Sequence, residues 1–367
     1  MQFSLLFFSD DGSNTKTDKY QLLLDSAKFA DQHGFAAVWT PERHFHALGG
    51  LYPNPAVIAA AIATITQRVQ LRAGSVVLPL QNPIRLTEEW SVIDNLSQGR
   101  VGLAFASGWH PNDFALAPEH YANRREVMWH SLQTVQRLWA GEAIDARNGT
   151  GEPIKIRTFP RPVQRELPIW ITCQSESTFT KAGKMGANVL TSLLYESPEE
   201  LAPKIALYRQ ARAQQGHDSD AGIVSLMVHT YLGADFNTVK ETVRQPFCNY
   251  LKTHAELVES LMQHFHQVKL ESFSEADLDS LMAFGFERFF DGRVLMGTPT
   301  TCRTFVDRLH KTGVNEIACL IDFGLDPNTV IAGLSYLKSL KDQYTSPSSP
   351  QPSTSASSPP TRAILSR

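Results

Sequence analysis

Short apolar runs alternate with segments of helical periodicity along most of this chain. The run VGLAFA at residues 101–106 has no polar interruption, which is typical of a strand buried on both faces of a parallel sheet. From about Asp18 to His33, apolar residues instead recur at helical spacing, and Gly34 ends the predicted helix. Apolar runs predict eight strands, near residues 2–9, 36–40, 69–78, 101–106, 167–172, 188–194, 223–233 and 316–322.

Helices are predicted in the intervals between these strands. Asn54-Pro55 and Pro83 are typical helix starts, because proline fits the first helical turn. Two intervals exceed a simple crossover: residues 140–166, with a hairpin predicted around Asn148-Gly149, and the largely helical residues 236–295. The remaining helices are predicted at about 54–66, 83–96, 121–139, 176–186, 198–214, 299–311 and 329–341.

This alternation predicts an α/β fold with a parallel sheet. Eight such units in roughly 340 residues indicate a (β/α)8 TIM barrel, with insertions after the helix that follows strand four and between strands seven and eight. A doubly wound open sheet is the alternative, although no GxGxxG follows the first strand. Residues 344–367 are rich in Ser, Pro and Thr, which predicts a disordered tail or linker after a barrel domain at residues 1–343.

The composition is that of an ordinary globular protein, with 42% hydrophobic residues and a formal net charge of −3. This charge gives no indication of a nucleic-acid partner, and no apolar run is long enough for a membrane span. The N-terminal residues lack the pattern of a signal peptide. The four cysteines are scattered without CxxC spacing, so we expect reduced thiols and a cytoplasmic location.

Chemically active residues are expected where parallel strands end. Glu42, Arg43 and His44 follow the second strand, and an imidazole there can act as an acid or a base, or serve a structural role instead. Small residues at 106–108 follow the fourth strand and allow a ligand to approach the backbone. The next loop offers Trp109, His110 and Asp113 as substrate contacts, or the two polar residues as turn stabilisers.

A predicted helix begins after the fifth strand with the hydroxyls of Ser175, Ser177 and Thr178. Free N–H groups and the helix dipole favour an anion at such a position, although Ser175 or Ser177 can also act simply as an N-cap. A metal site is not expected, because His44 and His46 lack a third ligand at useful spacing.

Several motifs resemble a known family. PERHF at 41–45, the segment 73–100 and the segment 99–114 resemble the bacterial-luciferase-like flavin monooxygenases. More narrowly, ERHFHALGG, FASGWHPNDF and GANVLTSLL are similar to the luciferase-like domains of polyketide and nonribosomal-peptide biosynthesis. The resemblance covers about residues 1–340 and implies a (β/α)8 barrel that uses reduced FMN (FMNH2) and molecular oxygen.

The resemblance also implies roles for residues of this chain. It implies a non-prolyl cis peptide at Gly74-Ser75 that supports the flavin ring, whereas the residues alone allow that glycine merely to ease strand packing. Luciferases carry an arginine at the position of Ser107, so here Arg124 or Arg125 is expected to supply charge to the phosphate. The implied cofactor contacts are Gly74, Ser75, Ala106, Ser107, Gly108, Arg124, Arg125, Ser175 and Thr178.

The segment Glu42 to Phe45 departs from luciferase, which has Glu-His-His-Phe there. The functional luciferase histidine aligns with Arg43, a permanent cation that is better suited to stabilising a peroxide anion or binding substrate than to moving protons. His44 is then the expected acid–base residue. Glu42, Arg43 and His44 form the predicted catalytic cluster, and Trp109 and His110 are the predicted substrate contacts, with covering of the flavin as the alternative for Trp109.

The activity implied is transfer of one oxygen atom to an organic substrate through a flavin C4a-peroxide, with reduced flavin supplied by a separate reductase. The biosynthetic resemblance and the Ser/Pro tail imply a natural-product intermediate, an acyl or peptidyl group on a carrier protein, as substrate. The family further implies a homodimer. Two alternatives are a related enzyme that uses the deazaflavin F420 for hydride transfer, and a non-catalytic subunit that supports a partner.

Overall fold

The fold is a closed parallel β-barrel surrounded by helices. The computed structural model describes residues 1–9, 19–194, 196–252 and 275–344. Each barrel strand pairs in parallel with its two neighbours, and pairing of the last strand with both the first and the seventh closes the ring. The barrel strands, in ring order, are β1 (Gln2–Leu6), β2 (Ala37–Thr40), β3 (Gln70–Val77), β4 (Val101–Ala106), β7 (Ile169–Thr172), β8 (Asn188–Ser192), β9 (Val224–Leu232) and β11 (Glu316–Leu320).

Helices connect these strands and cover the outside of the ring. Asn54 begins α2 as predicted, because its side chain accepts hydrogen bonds from the N–H groups of Ala56 and Val57. The helices are α1 (Gln21–Gln32), α2 (Pro55–Ala63), α3 (Pro83–Ser97), α4 (Arg124–Ala140), α5 (Glu176–Lys184), α6 (Pro198–Gln214), α7 (Phe236–Lys252), α8 (Glu275–Phe290), α9 (Pro299–Lys311) and α10 (Pro327–Asp342).

The (β/α)8 barrel and both insertions were predicted, and the barrel is confirmed. The first insertion contains the antiparallel hairpin of β5 (Ile144–Arg147) and β6 (Pro153–Ile156), around the predicted Asn148-Gly149 turn. The described part of the second contains α7, α8 and an unpredicted strand, β10 (Leu295–Gly297), which pairs with the end of β9. Three residues are too few for a periodic signal, so this strand depends on its neighbour rather than on its own sequence. Residues 253–274 of this predicted helical insertion lie outside the described residues.

The predicted tail at 344–367 lies outside the described residues, with the exception of Tyr344. The Tyr344 hydroxyl lies 2.6 Å from the Asp307 carboxylate on α9. This contact joins the end of the described chain to the barrel wall. No helix among the described residues is both long and apolar enough to cross a membrane.

The barrel interior contains a buried ion pair. Arg72 on β3 donates from Nη1 to both carboxylate oxygens of Glu316 on β11, at 3.0 and 2.8 Å. The Glu316 oxygens also accept hydrogen bonds from Ser4 (2.5 Å), Ser225 (2.8 Å) and the indole of Trp39 (3.1 Å). Residues from strands on opposite sides of the ring are therefore tied together through one carboxylate.

The charge of Glu316 is maintained by its partners. Burial alone raises the pKa of this carboxyl, but the Arg72 charge and the three hydrogen bonds outweigh burial and leave the pKa below its ordinary value. The Arg72 guanidinium also lies 4.3 Å from the Trp170 ring centroid and 5.0 Å from that of Trp39. Two aromatic faces thus replace part of the water that a free cation would bind.

Two strand glycines are explained by these indoles. A Cβ atom on Gly74 would lie 2.9 Å from the Trp39 ring, and one on Gly102 would lie 2.9 Å from the Trp170 ring. Only glycine leaves the necessary space on β3 and β4. The buried aromatic rings therefore determine the backbone positions immediately below the end of β3.

Glu316→Gln is expected to destabilise the protein by about 3–5 kcal/mol, because it leaves Arg72 as an unpaired buried charge. Urea unfolding followed by circular dichroism measures this loss. Glu89→Gln is the matched control: it breaks the exposed Arg85–Glu89 ion pair and should cost about 0–1 kcal/mol. Equal losses for the two variants would contradict a structural role for the buried pair.

Candidate active site

The loops after β2, β3, β4 and β7 converge at the carboxyl edge of the barrel. Glu42, two residues beyond β2, accepts a hydrogen bond from the backbone N–H of Val77 on β3 at 2.7 Å. The hydroxyls of Ser75 and Thr172 share a hydrogen bond, which connects β3 with β7. These contacts hold three of the four segments, the loop after β2, β3 and β7, together at one mouth.

The peptide bond between Gly74 and Ser75 is cis, as the family resemblance implied. The close approach of Trp39 to Gly74 shows that packing alone also requires glycine at this position. The two explanations of this glycine are therefore compatible. The flavin-supporting role of the dipeptide stays a prediction.

The end of β4 is held in one backbone conformation by its surroundings. Gly108 has a φ of +76°, and a Cβ there would lie 2.8 Å from both Phe114 and Val77. A side chain at this position is excluded both by the positive φ angle and by the steric contact with Phe114 and Val77. Ala106 and Ser107, the preceding predicted flavin contacts, are half-buried at the same mouth.

The two arginines predicted to supply phosphate charge lie in different environments. Arg124 is half-buried, and it donates from Nε to the Gly108 carbonyl at 3.1 Å and from Nη1 to the Tyr121 carbonyl at 2.9 Å. Arg125 is exposed on the outer part of α4. Arg124 is thus anchored beside the end of β4, whereas Arg125 is a surface charge.

A group of hydroxyls forms the N-terminus of α5. Ser175 is the N-cap, and its Oγ lies 3.0 Å from the Ser177 hydroxyl and 2.9 Å from that of Thr178. The N-cap interpretation is therefore confirmed for Ser175. The exposed hydroxyls and the free N–H groups of the first turn also form a surface suited to a phosphate, so capping and anion binding are compatible here.

Lys204 is a cation near this helix terminus that the sequence analysis did not identify. Its ammonium donates to the carbonyl of Gln174, the residue before Ser175, at 2.8 Å, and lies 2.6 Å from a Glu196 oxygen. Lys204 belongs to α6, so only the packing of α6 beside α5 brings it here. No local sequence motif contains this information.

Glu42, which is buried, and His44, which is half-buried, form a carboxylate–imidazole pair. Glu42 accepts from Gln81 Nε2 and lies 3.0 Å from His44 Nε2, in addition to its bond with Val77. An ionised carboxylate only accepts hydrogen bonds, so His44 Nε2 carries the proton in this contact. In the neutral imidazole, Nδ1 then keeps its lone pair. His44 is consequently oriented as a base through Nδ1.

Arg43 is fixed beside this pair by an acid from the β4 loop. Its Nη1 lies 2.6 Å from Asp113 Oδ2, and both side chains are buried. Trp109 is 53% exposed and lies over the guanidinium, with 5.0 Å between Arg43 Cζ and the ring centroid. Asp113 is thus the partner of Arg43, a pairing that their separation in sequence conceals.

His110 has a local structural contact. Its Nδ1 accepts a hydrogen bond from the N–H of Asn112 at 3.3 Å, which supports the short 3-10 helix at Pro111–Leu116. The turn-stabilising interpretation of His110 is therefore confirmed, and a substrate contact for this residue stays a prediction. The described residues contain no cluster of three side chains suited to holding a metal ion.

Asp322 stabilises the loop after β2, which contains the predicted catalytic residues Glu42, Arg43 and His44. It accepts hydrogen bonds from the N–H groups of Phe8 and Ser9 at 2.7 and 2.9 Å, and from the Tyr52 hydroxyl at 3.0 Å. The Tyr52 carbonyl in turn accepts from the Arg43 N–H at 3.1 Å. Burial raises the pKa of Asp322 to about 6, and the hydrogen bonds from Phe8, Ser9 and Tyr52 offset only part of this effect.

Comparisons with known proteins identify the family of this chain. A sequence profile for luciferase-like monooxygenases matches residues 1–316. The chain belongs to the luciferase-like monooxygenase family. As a member, it is 23% identical over 327 residues to the alkanal monooxygenase alpha chain of the Kryptophanaron alfredi symbiont, covering 86% of this chain and 90% of that protein. It is 27% identical to the oxygenase component of the flavin-dependent trigonelline monooxygenase of Acinetobacter baylyi, covering 63% and 65%.

Several solved structures share the fold of this chain. Monooxygenase RslO1 from Streptomyces bottropensis superimposes with a TM-score of 0.76 at 24% identity, covering 94% of this chain and all of that one. The oxygenating constituent of 3,6-diketocamphane monooxygenase from Pseudomonas putida, in complex with FMN, gives 0.73 at 16% identity, covering 92% and 97%. An F420-dependent secondary alcohol dehydrogenase gives 0.67 at 17% identity, also covering 92% and 97%.

Asp322 predicts a pH dependence of stability. Its pKa of about 6 in the folded protein exceeds the ordinary 3.8, so the folded state binds this proton more tightly than the unfolded chain does. The stabilisation is complete below about pH 4 and is lost as the pH rises through 6, by roughly 3 kcal/mol in total.

The measurement is urea unfolding of the native protein and of Asp322→Asn at several pH values between 4 and 8. The native protein should lose stability relative to the variant as the pH rises. Asp145→Asn changes an exposed carboxyl of β5 and should leave the pH profile unaltered. Parallel profiles for the native protein and Asp322→Asn would show that Asp322 titrates normally.

Proposed function

We propose that this protein is an FMNH2- and O2-dependent monooxygenase that modifies a natural-product intermediate. The observation that carries the proposal is the cluster of hydroxyl-bearing residues at the start of α5, which includes Ser175 and Thr178. This cluster faces the same barrel mouth as the His44–Glu42 pair. Family membership supports flavin-dependent oxidoreductase chemistry, and the FMN-bound diketocamphane enzyme shares the fold.

The residues of the mouth fit FMN. Ser175 and Thr178 would bind the phosphate through their hydroxyls and the first N–H groups of α5. Arg124 and Lys204 would supply positive charge in place of the arginine that luciferases have at Ser107. The remaining contacts, to the flavin ring, would come from Gly74, Ser75, Ala106 and Gly108.

Reduced FMN, when bound, would supply the chemistry that uses molecular oxygen. The protein would supply orientation, exclusion of water and proton control. His44 would accept or return a proton at Nδ1 while Glu42 holds Nε2–H. Because Val77 and Gln81 also bind Glu42, the imidazole cannot rotate without breaking a buried network.

The partners follow from the same proposal. The relatives include a protein described as an oxygenase component and another described as an oxygenating constituent. We therefore propose that a separate flavin reductase supplies reduced FMN to this chain in the cytoplasm. The further parts of the proposal are a substrate held as an acyl or peptidyl group on a carrier protein, and assembly as a homodimer.

F420-dependent hydride transfer is the second candidate, because an F420-dependent dehydrogenase has the same fold. The two activities differ in their use of oxygen, because the monooxygenase reaction consumes oxygen and hydride transfer does not. A non-catalytic subunit that only supports a partner would bind neither cofactor. Cofactor identity therefore discriminates among the three.

The test is an anaerobic titration of the protein with FMNH2, followed by rapid mixing with oxygenated buffer. We expect saturable binding and an oxygen-dependent flavin absorbance that precedes fully oxidised FMN. Binding of reduced F420 instead of FMNH2 would favour hydride transfer. Failure to bind either cofactor would contradict both enzymatic assignments and favour the non-catalytic subunit.

The phosphate assignment predicts a selective loss of FMN affinity. Ser175→Ala combined with Thr178→Val should weaken FMNH2 binding at least tenfold, through the loss of two hydrogen bonds to a charged group. Lys204→Met should also weaken FMNH2 binding. Affinity for reduced riboflavin, which lacks the phosphate, should change little in both variants.

Ser335→Ala on the exposed face of α10 is the control for loss of a surface hydroxyl. It should bind both flavins like the native protein. Equal weakening of FMNH2 and riboflavin binding in the Ser175/Thr178 variant would contradict the placement of the phosphate at α5.

A further inference from the structure

Glu42 has a buried carboxylate whose two oxygens are held separately. Its side chain has no exposed surface. Oε2 accepts from the backbone N–H of Val77 at 2.7 Å, whereas Oε1 accepts from Gln81 Nε2 and, at 3.0 Å, from His44 Nε2–H. Within the described part of the chain, Gln81 is therefore the side chain that holds this carboxylate besides His44. With a donor on each oxygen, the carboxylate plane is fixed and Oε1 stays directed at the imidazole.

The position of Gln81 depends on a short turn at the end of β3. Leu78–Leu80 form a 3-10 helix directly after this strand, and the Gln81 N–H donates to the Leu78 carbonyl at 3.1 Å. The turn borders a pocket of about 590 Å³, which Pro79 and Gln81 both line. Protein atoms do not pack against the turn on that side, so its position depends more strongly on hydrogen bonds.

His120 supplies such a hydrogen bond from a distant segment. It ends the short 3-10 helix Pro118–His120 in the loop after β4, 41 residues from Pro79 in the sequence. Its Nδ1 lies 2.7 Å from the Pro79 carbonyl oxygen. A carbonyl only accepts, so Nδ1 carries the proton and donates. The imidazolium form also has a proton on Nδ1, so both charge states of His120 can make this bond.

These contacts connect the loop after β4 with the predicted acid–base pair. His120 holds the carbonyl of Pro79, and Pro79 belongs to the turn that places Gln81. Gln81 in turn holds the Glu42 oxygen that accepts the His44 proton. A displacement at any of these contacts would therefore move Oε1 of Glu42 relative to the imidazole.

We propose that Gln81 and His120 are positioning residues for the His44–Glu42 pair. Gln81 orients Oε1 of Glu42, and His120 fixes the turn that carries Gln81. Together they keep the proton of His44 on Nε2, which leaves Nδ1 as the base. This inference rests on the proposed function for the claim that the pair is catalytic, whereas the positioning itself involves no flavin.

The tautomer of His44 reports this positioning directly. NMR of the full chain labelled with 15N-histidine distinguishes the Nε2–H from the Nδ1–H form of a neutral imidazole, and the signal missing in His44→Asn assigns the resonance. In the native protein His44 should be in the Nε2–H form. A native His44 that populates both forms equally would overturn the proposal.

Two variants test Gln81. Gln81→Met keeps the side-chain length but removes the donor, and Gln81→Asn keeps the amide but is one methylene shorter. In both, Oε1 of Glu42 loses its second donor, so the ratio of the Nδ1–H to the Nε2–H form of His44 should rise about tenfold. Gln133→Met changes an exposed residue of α4 and should keep the native ratio. An unaltered ratio in a folded Gln81 variant would overturn the role of Gln81.

Two further variants test His120. His120→Phe keeps a ring but removes the donor, whereas His120→Asn places an amide nitrogen where Nδ1 was. The first should raise the His44 ratio about threefold, because Gln81 remains on a less restrained turn, and the second should restore the native ratio. His130→Phe removes an exposed imidazole from the same pocket and is the control. Equal ratios for the native protein and His120→Phe, or for the two His120 variants, would overturn the role of His120.

The outcome is separable from that of the proposed function. Thermal unfolding of each variant shows whether the fold persists, and an FMNH2 titration of the native protein tests the cofactor independently. The expected tautomer shifts without FMNH2 binding would leave this inference standing while the monooxygenase assignment fails. FMNH2 binding with unaltered His44 tautomers in all folded variants would do the reverse.

Discussion

The structure depends on the ion pair between Arg72 and Glu316 inside the barrel. A carboxylate in this position needs a cation and several donors, and the strands supply them from Ser4, Trp39 and Ser225. The indoles that flank Arg72 leave no room for side chains on Gly74 or Gly102. A polar network thus determines the floor of the mouth, and it holds the strand ends above this floor in place.

Above this floor the mouth is divided between two groups of residues. The loop after β2 presents His44 and Arg43, each held by a buried carboxylate, while the start of α5 presents hydroxyls and free N–H groups. The first group suits proton transfer and substrate recognition, and the second suits a phosphate. Such a division is what an enzyme that binds a phosphorylated cofactor beside a separate substrate requires.

Sequence reasoning predicted the barrel because its strands are continuous apolar runs separated by amphipathic helices. It placed β4 at residues 101–106, where the structure has it, because Gly99-Arg100 and Ser107-Gly108 bound that run. It also predicted Ser175 at the start of α5, since capping is a local interaction. The short strand β10 escaped prediction because it is stabilised by pairing with β9.

The parts of the site that the sequence did not predict also depend on contacts between distant segments. Lys204 reaches Gln174 from α6, and Asp113 reaches Arg43 from the loop after β4, so neither pairing is written in a local motif. The bond from His120 to the Pro79 carbonyl likewise joins two loops that lie 41 residues apart in the sequence. Residue types at strand ends were predictable, whereas their pairing depended on the closed barrel.

The most direct test of the central claim is a crystal structure of this protein with FMN bound. We expect the phosphate within hydrogen-bond distance of Ser175 and Thr178, and the flavin ring against Gly74-Ser75 and the end of β4. Flavin bound elsewhere, or a phosphate that avoids the start of α5, would contradict the assignment of this mouth as the active site.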